Sequence, residues 1–205
     1  MFDELKDSII EGNEEKAKEL TSKLLSEGKV PREILDSGLV AGMDVVGQQF
    51  KAYEMYLPEV IMSATAMKSA MDLLKPHLSK SDGALMGTVV MATIEGDVHD
   101  IGKNLVSMML EGAGFNVVDL GVDVSVERII NVARDESAEL IGISALLTTT
   151  MLAMEHAIKM IREKNSKVKI MVGGAPITKE YADKIGADGF APDALRAIGL
   201  AKKLV

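Results

Sequence analysis

Cysteine and tryptophan are absent from the 205-residue sequence, and aromatic residues make up only 3% of it. Without thiols there are no disulfide frameworks, iron–sulfur clusters, thiolate zinc sites or cysteine nucleophiles. Nothing therefore supports an extracellular setting. Apolar runs fall far short of the ~20 residues that span a bilayer. Phe2-Asp3-Glu4-Leu5-Lys6-Asp7 has neither the basic start nor the apolar stretch of a secretory signal. The expectation is a soluble, cytoplasmic protein. Positive charge is also short: 23 Lys and Arg face 31 Asp and Glu, a net charge of -8. No uniform positive field gathers phosphates, which argues against nucleic acid or an anionic membrane as partner. What the chain does have is a globular balance, 47% hydrophobic beside 26% charged, with length for one large domain or two small ones. Its 14 methionines read as flexible gap-fillers of a soft helical core that lacks rings.

The period of the apolar residues changes once along the chain. Up to about His77 it is helical. Phe2, Leu5 and Ile9 mark a first helix broken at Gly12-Asn13; Ala17, Leu20 and Leu24 mark a second that ends at Gly28. Pro31 opens a third, on which Ile34, Leu35, Leu39, Met43, Val46 and Phe50 form one stripe. Pro58 starts a fourth, with the stripe Ile61, Ala64, Met67, Met71 and Leu74, before Pro76 stops it. Lys75 to Gly83 is polar, carries Pro and Gly, and reads as a linker. Beyond it short β-rich runs, at 86–93, 116–119, 140–144, 169–172 and 189–191, alternate with helices starting near Gly102, Ser125, Met151, Thr178 and Pro192. The predicted fold is α/β: a four-helix cap, residues 1–80, followed by a Rossmann-like (flavodoxin-like) parallel sheet of five strands, residues 84–205. In such sheets ligands bind beyond the carboxyl ends of the strands, so the loops after Thr93, Ser144 and Val172 should converge.

Polar chemistry concentrates in the first of these loops, Glu95-Gly96-Asp97-Val98-His99-Asp100-Ile101-Gly102-Lys103-Asn104. A phosphate cradle fits poorly. G-x-G-x-x-G is absent, the spacing from Gly96 to Gly102 is one residue too long for a P-loop, and Asn104 replaces its hydroxyl. Glu95, Asp97 and Asp100 also have the wrong sign for an anion. A divalent ion on Asp97, His99 and Asp100 suits ligand chemistry, but neither His77 nor His156 is spaced to complete the set.

Three separated pieces resolve the ambiguity. Asp97-x-His99-x-x-Gly102, Ser144-x-Leu146 and Gly173-Gly174 follow the first, third and fourth predicted strands. They resemble the cobalamin-binding fingerprint D-x-H-x-x-G, S-x-L, G-G. Upstream, Val46-Gly47-Gln48-Gln49-Phe50, Met55-Tyr56-Leu57-Pro58-Glu59-Val60 and Ser63-Ala64-x-Ala66-Met67 resemble the helical cap that precedes this domain in methionine synthase and in methyltransferase corrinoid proteins. The resemblance covers nearly the whole chain. It is closest to the stand-alone corrinoid proteins of systems that use methylamines, methanol, methoxylated aromatics or betaines.

The resemblance implies a cobalamin or related corrinoid bound base-off, with His99 as the lower ligand of cobalt. It gives Asp97 and a hydroxyl behind it, here Thr150 where serine is usual, the task of tuning that imidazole. Gly96, Val98, Asp100, Ile101 and Gly102 would lie against the cofactor. Ser144, Leu146, Thr148, Gly173 and Gly174 would line a slot for its dimethylbenzimidazole tail, the glycines allowing close approach. Phe50 and Leu57 would cover the cobalt-bound methyl group and keep water away; Tyr56 takes a place often held by Phe, so its hydroxyl needs a partner. The implied function is a methyl carrier, not catalytic alone, whose cobalt cycles between Co(I) and methyl-Co(III). Its implied partners are a substrate-specific methyltransferase, a second methyltransferase serving tetrahydrofolate or coenzyme M, and a reductive activase. A cobalamin-dependent sensor is the alternative reading, but the acidic sequence offers no helix-turn-helix. A radical mutase subunit shares the loop motif without this methionine-rich cap.

Overall fold

The computed structural model describes residues 1–78, 86–164 and 167–205. By its internal contacts the chain falls into two compact units. The first is helical. Helix α1 (Phe2–Ile10) is followed by α2 (Glu14–Ser26), which starts where the Asn13 side chain accepts the Lys16 N–H at 3.1 Å. Pro31 opens α3 (Pro31–Glu33), a π-helical segment covers Ile34–Val40, and α4 (Ala41–Lys51) completes the path. The long stripe was therefore correctly helical but not one α-helix. Ile34, Leu35, Gly38 and Leu39 stay buried through the π segment, and Gly42, Met43 and Val46 continue beyond it. Apolar spacing alone thus carries no mark of the wider turns. Close packing on α1 accompanies them: a Cβ at Gly38 would sit 2.6 Å from Leu5 Cδ2, and one at Gly42 2.8 Å from Ile9 Cβ.

Helix α5 (Leu57–Leu74) has its proline in the first turn, and the Glu59 carboxylate accepts the Tyr56 N–H at 2.7 Å. Its buried face holds Val60, Ser63, Ala64, Ala66, Met67, Ala70, Met71 and Leu74. Ile61, expected on that stripe, is exposed, and Val60 takes the inward place. Tyr56 is exposed too, so its hydroxyl meets solvent and needs no buried partner. A 3-10 turn, Lys75–His77, follows. The rest of the expected linker, 79–83, lies outside the described residues.

The second unit is a five-stranded parallel sheet, β1 (Thr88–Thr93), β2 (Asn116–Asp119), β3 (Leu140–Ser144), β4 (Lys169–Gly173) and β5 (Gly189–Phe190), in the order β2-β1-β3-β4-β5. This is the flavodoxin-like order, and its switch point lies between β1 and β3. The crossover helices are α6 (Ile101–Gly112), α7 (Val126–Asp135), α8 (Met151–Lys164) and α9 (Lys179–Ile185); α10 (Ala194–Leu204) follows β5. Thr178 and Asp193 cap the last two through the amides of Tyr181 and Arg196.

The two sheet faces differ. Val90, Ala92, Ile141, Ile143, Ile170 and Val172 join Ile129, Ala133, Met154, Ile158, Ile161, Ala182 and Ile185 of α7, α8 and α9 in one continuous core. The intervening residues of the central strands belong to the other face: Met91 and Thr93, Gly142 and Ser144, Met171 and Gly173. Most are small or flexible, and between α6 and α10 they leave space.

Candidate functional site

That space is a cavity of about 590 Å³ lined by residues of β1, β3 and β4, by the segment that follows β5 and by α6 and α10. It falls within the range of ~300 to 1,000 Å³ typical of small-molecule sites. Val98, His99, Asp100, Ile101 and Gly102 border it, as do Ser144, Leu146, Gly173 and Gly174. The three predicted loops therefore converge. Gly96, Asp97 and Thr150 lie behind the lining, and Thr148 is exposed and takes no part in it. Phe50 and Leu57 belong to the helical unit, Phe50 near the end of α4, partly buried, and Leu57 opening α5, exposed.

Asp97 organises the mouth. Its side chain has no solvent exposure, and one oxygen accepts from the His99 amide at 3.0 Å and from the His99 ring Nδ1 at 2.7 Å. The other accepts from the Leu146 amide at 2.7 Å, the Leu147 amide at 3.3 Å and the Thr150 hydroxyl at 2.9 Å. Burial acts to raise the Asp97 pKa; the bonds from Leu146, from the amide and ring of His99 and from Thr150 outweigh it and hold the carboxyl well below the usual range. An ionised Asp97 fixes the proton of His99 on Nδ1, which leaves Nε2 with a free lone pair. The His99 side chain is 48% exposed, and Nε2 has no partner among the described residues. The methyl group of Thr150 lies toward Gly96, where a Cβ would approach it to 3.6 Å, so threonine fits where a serine was expected.

The sequence reading passed over several residues that hold this arrangement. The Asp123 carboxylate, on a residue with φ 52, accepts the Gly96 N–H at 2.7 Å, and the Asp123 amide donates to the Asp97 carbonyl at 2.9 Å. Lys103 is buried on α6, and its ammonium pairs with Asp119 at the end of β2 and with Asn104. No local motif announces these partners, which are set by the β1–β2 pairing. Gly142 was detectable, because a glycine inside an apolar strand often marks close approach.

The glycine pair has a reason within the protein itself. A Cβ on Gly174, at φ 126, would lie 1.8 Å from the Ala145 carbonyl oxygen, and one on Gly173 would lie 2.9 Å from that of Ala191. Gly102 is different: a Cβ there would meet nothing within 4 Å, although the residue borders the cavity.

These features suit a metal that brings its own macrocycle. Among the described residues no three His, Cys, Asp or Glu side chains gather to hold an ion, and every oxygen of Asp97 is already engaged. What remains is one imidazole nitrogen beside a largely apolar slot, a donor set that fits a corrinoid, whose ring would bring the metal's other ligands.

A parallel sheet of this order, with an aspartate-backed imidazole beside a slot and a helical unit ahead of it, is the construction of a B12-binding protein. The chain belongs to that family: a B12 binding domain matches residues 87–199, and a second B12 binding domain matches residues 1–75. Its relatives are corrinoid proteins. One from Desulfitobacterium hafniense is 44% identical over 210 residues, covering 100% of this chain and 97% of that protein. Dimethylamine corrinoid protein 3 of Methanosarcina acetivorans is 44% identical over 207 residues, with the same coverage of 100% and 97%. Of the solved structures, a methanol:cobalamin methyltransferase complex from Methanosarcina barkeri aligns with a TM-score of 0.87 at 33% identity, covering 99% of this chain and 78% of that one.

Proposed function

We propose that this chain is a corrinoid methyl carrier, loaded by a substrate-specific methyltransferase and emptied by a second one that serves an acceptor such as tetrahydrofolate or coenzyme M. The observation that carries the reading is the free Nε2 of His99, oriented by a buried, ionised Asp97 at the mouth of an apolar cavity. Corrinoid cobalt supplies a centre that accepts and donates methyl groups. The residues would supply the rest: His99 would offer its Nε2 to the metal, Asp97, held by Thr150, would fix its tautomer, and Ser144, Leu146, Gly173 and Gly174 would border the tail slot. The same reading gives Phe50 and Leu57 the shielding of the methyl group and divides the chain into domains 1–80 and 84–205. Turnover requires the partner enzymes and a reductive activase that restores the reduced metal, in the cytoplasm. No helix of the described residues is long and apolar enough to cross a membrane.

The test is spectroscopic. Protein reconstituted with cobalamin and reduced to Co(II) should show imidazole nitrogen hyperfine splitting in paramagnetic resonance, and His99→Ala should lack it while still retaining cofactor through the slot. The same splitting in the variant would remove His99 from the metal.

A further inference from the structure

Packing does not hold His99 in place. Its side chain is 48% exposed, and its loop neighbours Val98 and Ile101 are 70% and 86% exposed. The orientation of the ring therefore comes from hydrogen bonds. Asp97 takes the amide and ring nitrogens of His99, but the His99 carbonyl and the backbone ahead of Asp97 are bonded elsewhere. Two residues outside the D-x-H-x-x-G motif hold those atoms.

Thr93, the last residue of β1, is fully buried, and its hydroxyl donates to the His99 carbonyl at 2.9 Å. The backbone beneath that hydroxyl is fixed on both sides: the Thr93 amide donates to the Gly121 carbonyl at 3.0 Å, and the Thr93 carbonyl accepts from the Val124 amide at 3.1 Å. A β-branched side chain, stiff at its first torsion, thus ties the loop to the sheet. Asp123 grips the loop from its other side. Its carboxylate accepts the Gly96 N–H at 2.7 Å and its own amide donates to the Asp97 carbonyl at 2.9 Å, so the Gly96–Asp97 pair is held at both ends. Asp123 does this at φ 52, a left-handed conformation that a residue other than glycine keeps only where its surroundings demand it.

We propose that Thr93 and Asp123 are positioning residues for the metal ligand: by pinning the backbone on both sides of the Asp97–His99 pair they keep the His99 ring on Asp97 and its Nε2 free for a metal. The inference rests on the corrinoid reading above and deepens it. Neither residue lines the cavity, and both act through His99. A ring that leaves Asp97 loses the bond that sets its tautomer, and its proton then spreads over both nitrogens. Every share of that proton on Nε2 removes the lone pair a metal needs.

Nitrogen-15 NMR of the full apo chain labelled at histidine, at a pH where the imidazoles are neutral, reads the tautomer without any activity measurement. His99 should give two well-separated ring signals with the proton on Nδ1. His156, exposed on α8 of the same unit, is the internal reference. Thr93→Val replaces the hydroxyl by a methyl group of similar size; it should draw the two His99 signals together, while Thr93→Ser keeps them apart and His156 stays unmoved in both. Asp123→Gly keeps the positive φ and the amide donor and loses only the carboxylate, so it should shift His99 in the same direction even if Thr93→Val misfolds by circular dichroism, and Asp123→Asn, which retains a side-chain oxygen, should restore the wild-type signals. Loaded with cobalamin and reduced to Co(II), Thr93→Val should show a smaller share of the imidazole-split paramagnetic signal than wild type. His99 signals that are already averaged in wild type, that do not move in Thr93→Val and Asp123→Gly, or that move as far in Thr93→Ser as in Thr93→Val, would overturn the positioning role. A wild type that fixes the His99 tautomer yet binds no corrinoid would instead overturn the functional reading.

Discussion

At Gly102 an added side chain would enter open cavity, whereas at Gly174 it would strike the Ala145 carbonyl. The two glycines therefore answer different questions. Gly174→Val destroys the backbone arrangement and says nothing of a slot, while Gly102→Leu, in the first turn of α6 with nothing within 4 Å of its Cβ, should leave stability nearly unchanged. The Gly102→Leu protein should fold yet lose cobalamin during gel filtration, and full retention would place the tail elsewhere. Thr150 gives a second test at this scale. Its hydroxyl is shared between Asp97 and the Leu147 carbonyl, each at 2.9 Å. Bonds to charged groups contribute ~1.5 to 3 kcal/mol, and sharing keeps this one near the lower end. Urea unfolding should show Thr150→Val less stable by about 1 to 2 kcal/mol and Thr150→Ser losing under ~1 kcal/mol for its missing methyl. A serine variant as unstable as the valine one would assign the effect to packing. Asp97 and His99 were legible in the sequence because they belong to a spaced fingerprint, while Thr150, outside it, was reached only through the family resemblance. Asp123 and Lys103 were not, since their partners Gly96 and Asp119 lie 27 and 16 residues away and only strand pairing joins them.

Between elements, one carboxylate carries much of the connection at the amino-terminal end of β4. Asp188, just before β5, accepts the Ile170 amide at 2.7 Å and pairs with Arg162 of α8, while Arg162 also donates to the Val168 carbonyl at 2.7 Å. Burial acts to raise the Asp188 pKa, but the Arg162 bond and charge, the Ile170 amide and Lys169 together lower it below its ordinary 3.8. The depressed folded pKa fixes the sign. The stabilisation is complete above the ordinary value and is lost as pH falls through the folded one. Asp188→Asn should thus lower the urea midpoint at pH 6, and the gap to wild type should close progressively below about pH 4. A gap independent of pH would mean that shape alone matters there. Element types were readable because the period changes from helical to strand-like near residue 86 and because Thr178 and Asp193 stand where caps belong. The π segment at Ile34–Val40 was not, because its buried face continues the stripe on both sides.

For the molecule as a whole, the proposed cover makes a prediction about light. If Phe50 and Leu57 shield the methyl group, Phe50→Ala with Leu57→Ala should raise the net photolysis yield of the methylated protein, because the departing radical loses its cage, while nitrogen hyperfine from His99 is unchanged. Steady illumination of both folded proteins gives the comparison, and equal yields would return the two residues to ordinary packing roles. The parallel sheet and the converging loops followed from alternation of strands and helices, whereas the register of β1, β3 and β4 was needed before Met91, Gly142 and Met171, all in the cavity lining, could be seen as neighbours. The reach of Asp97 has a kinetic side. Its bonds to Leu146, Leu147 and Thr150 span 49, 50 and 53 residues of chain. Closing such loops is slow relative to local helix formation. The second Asp97 oxygen therefore gains its partners only once β3 has docked beside β1, and a nascent chain that has emerged only as far as α7 holds the whole D-x-H-x-x-G motif with half of that carboxylate's bonds still unmade.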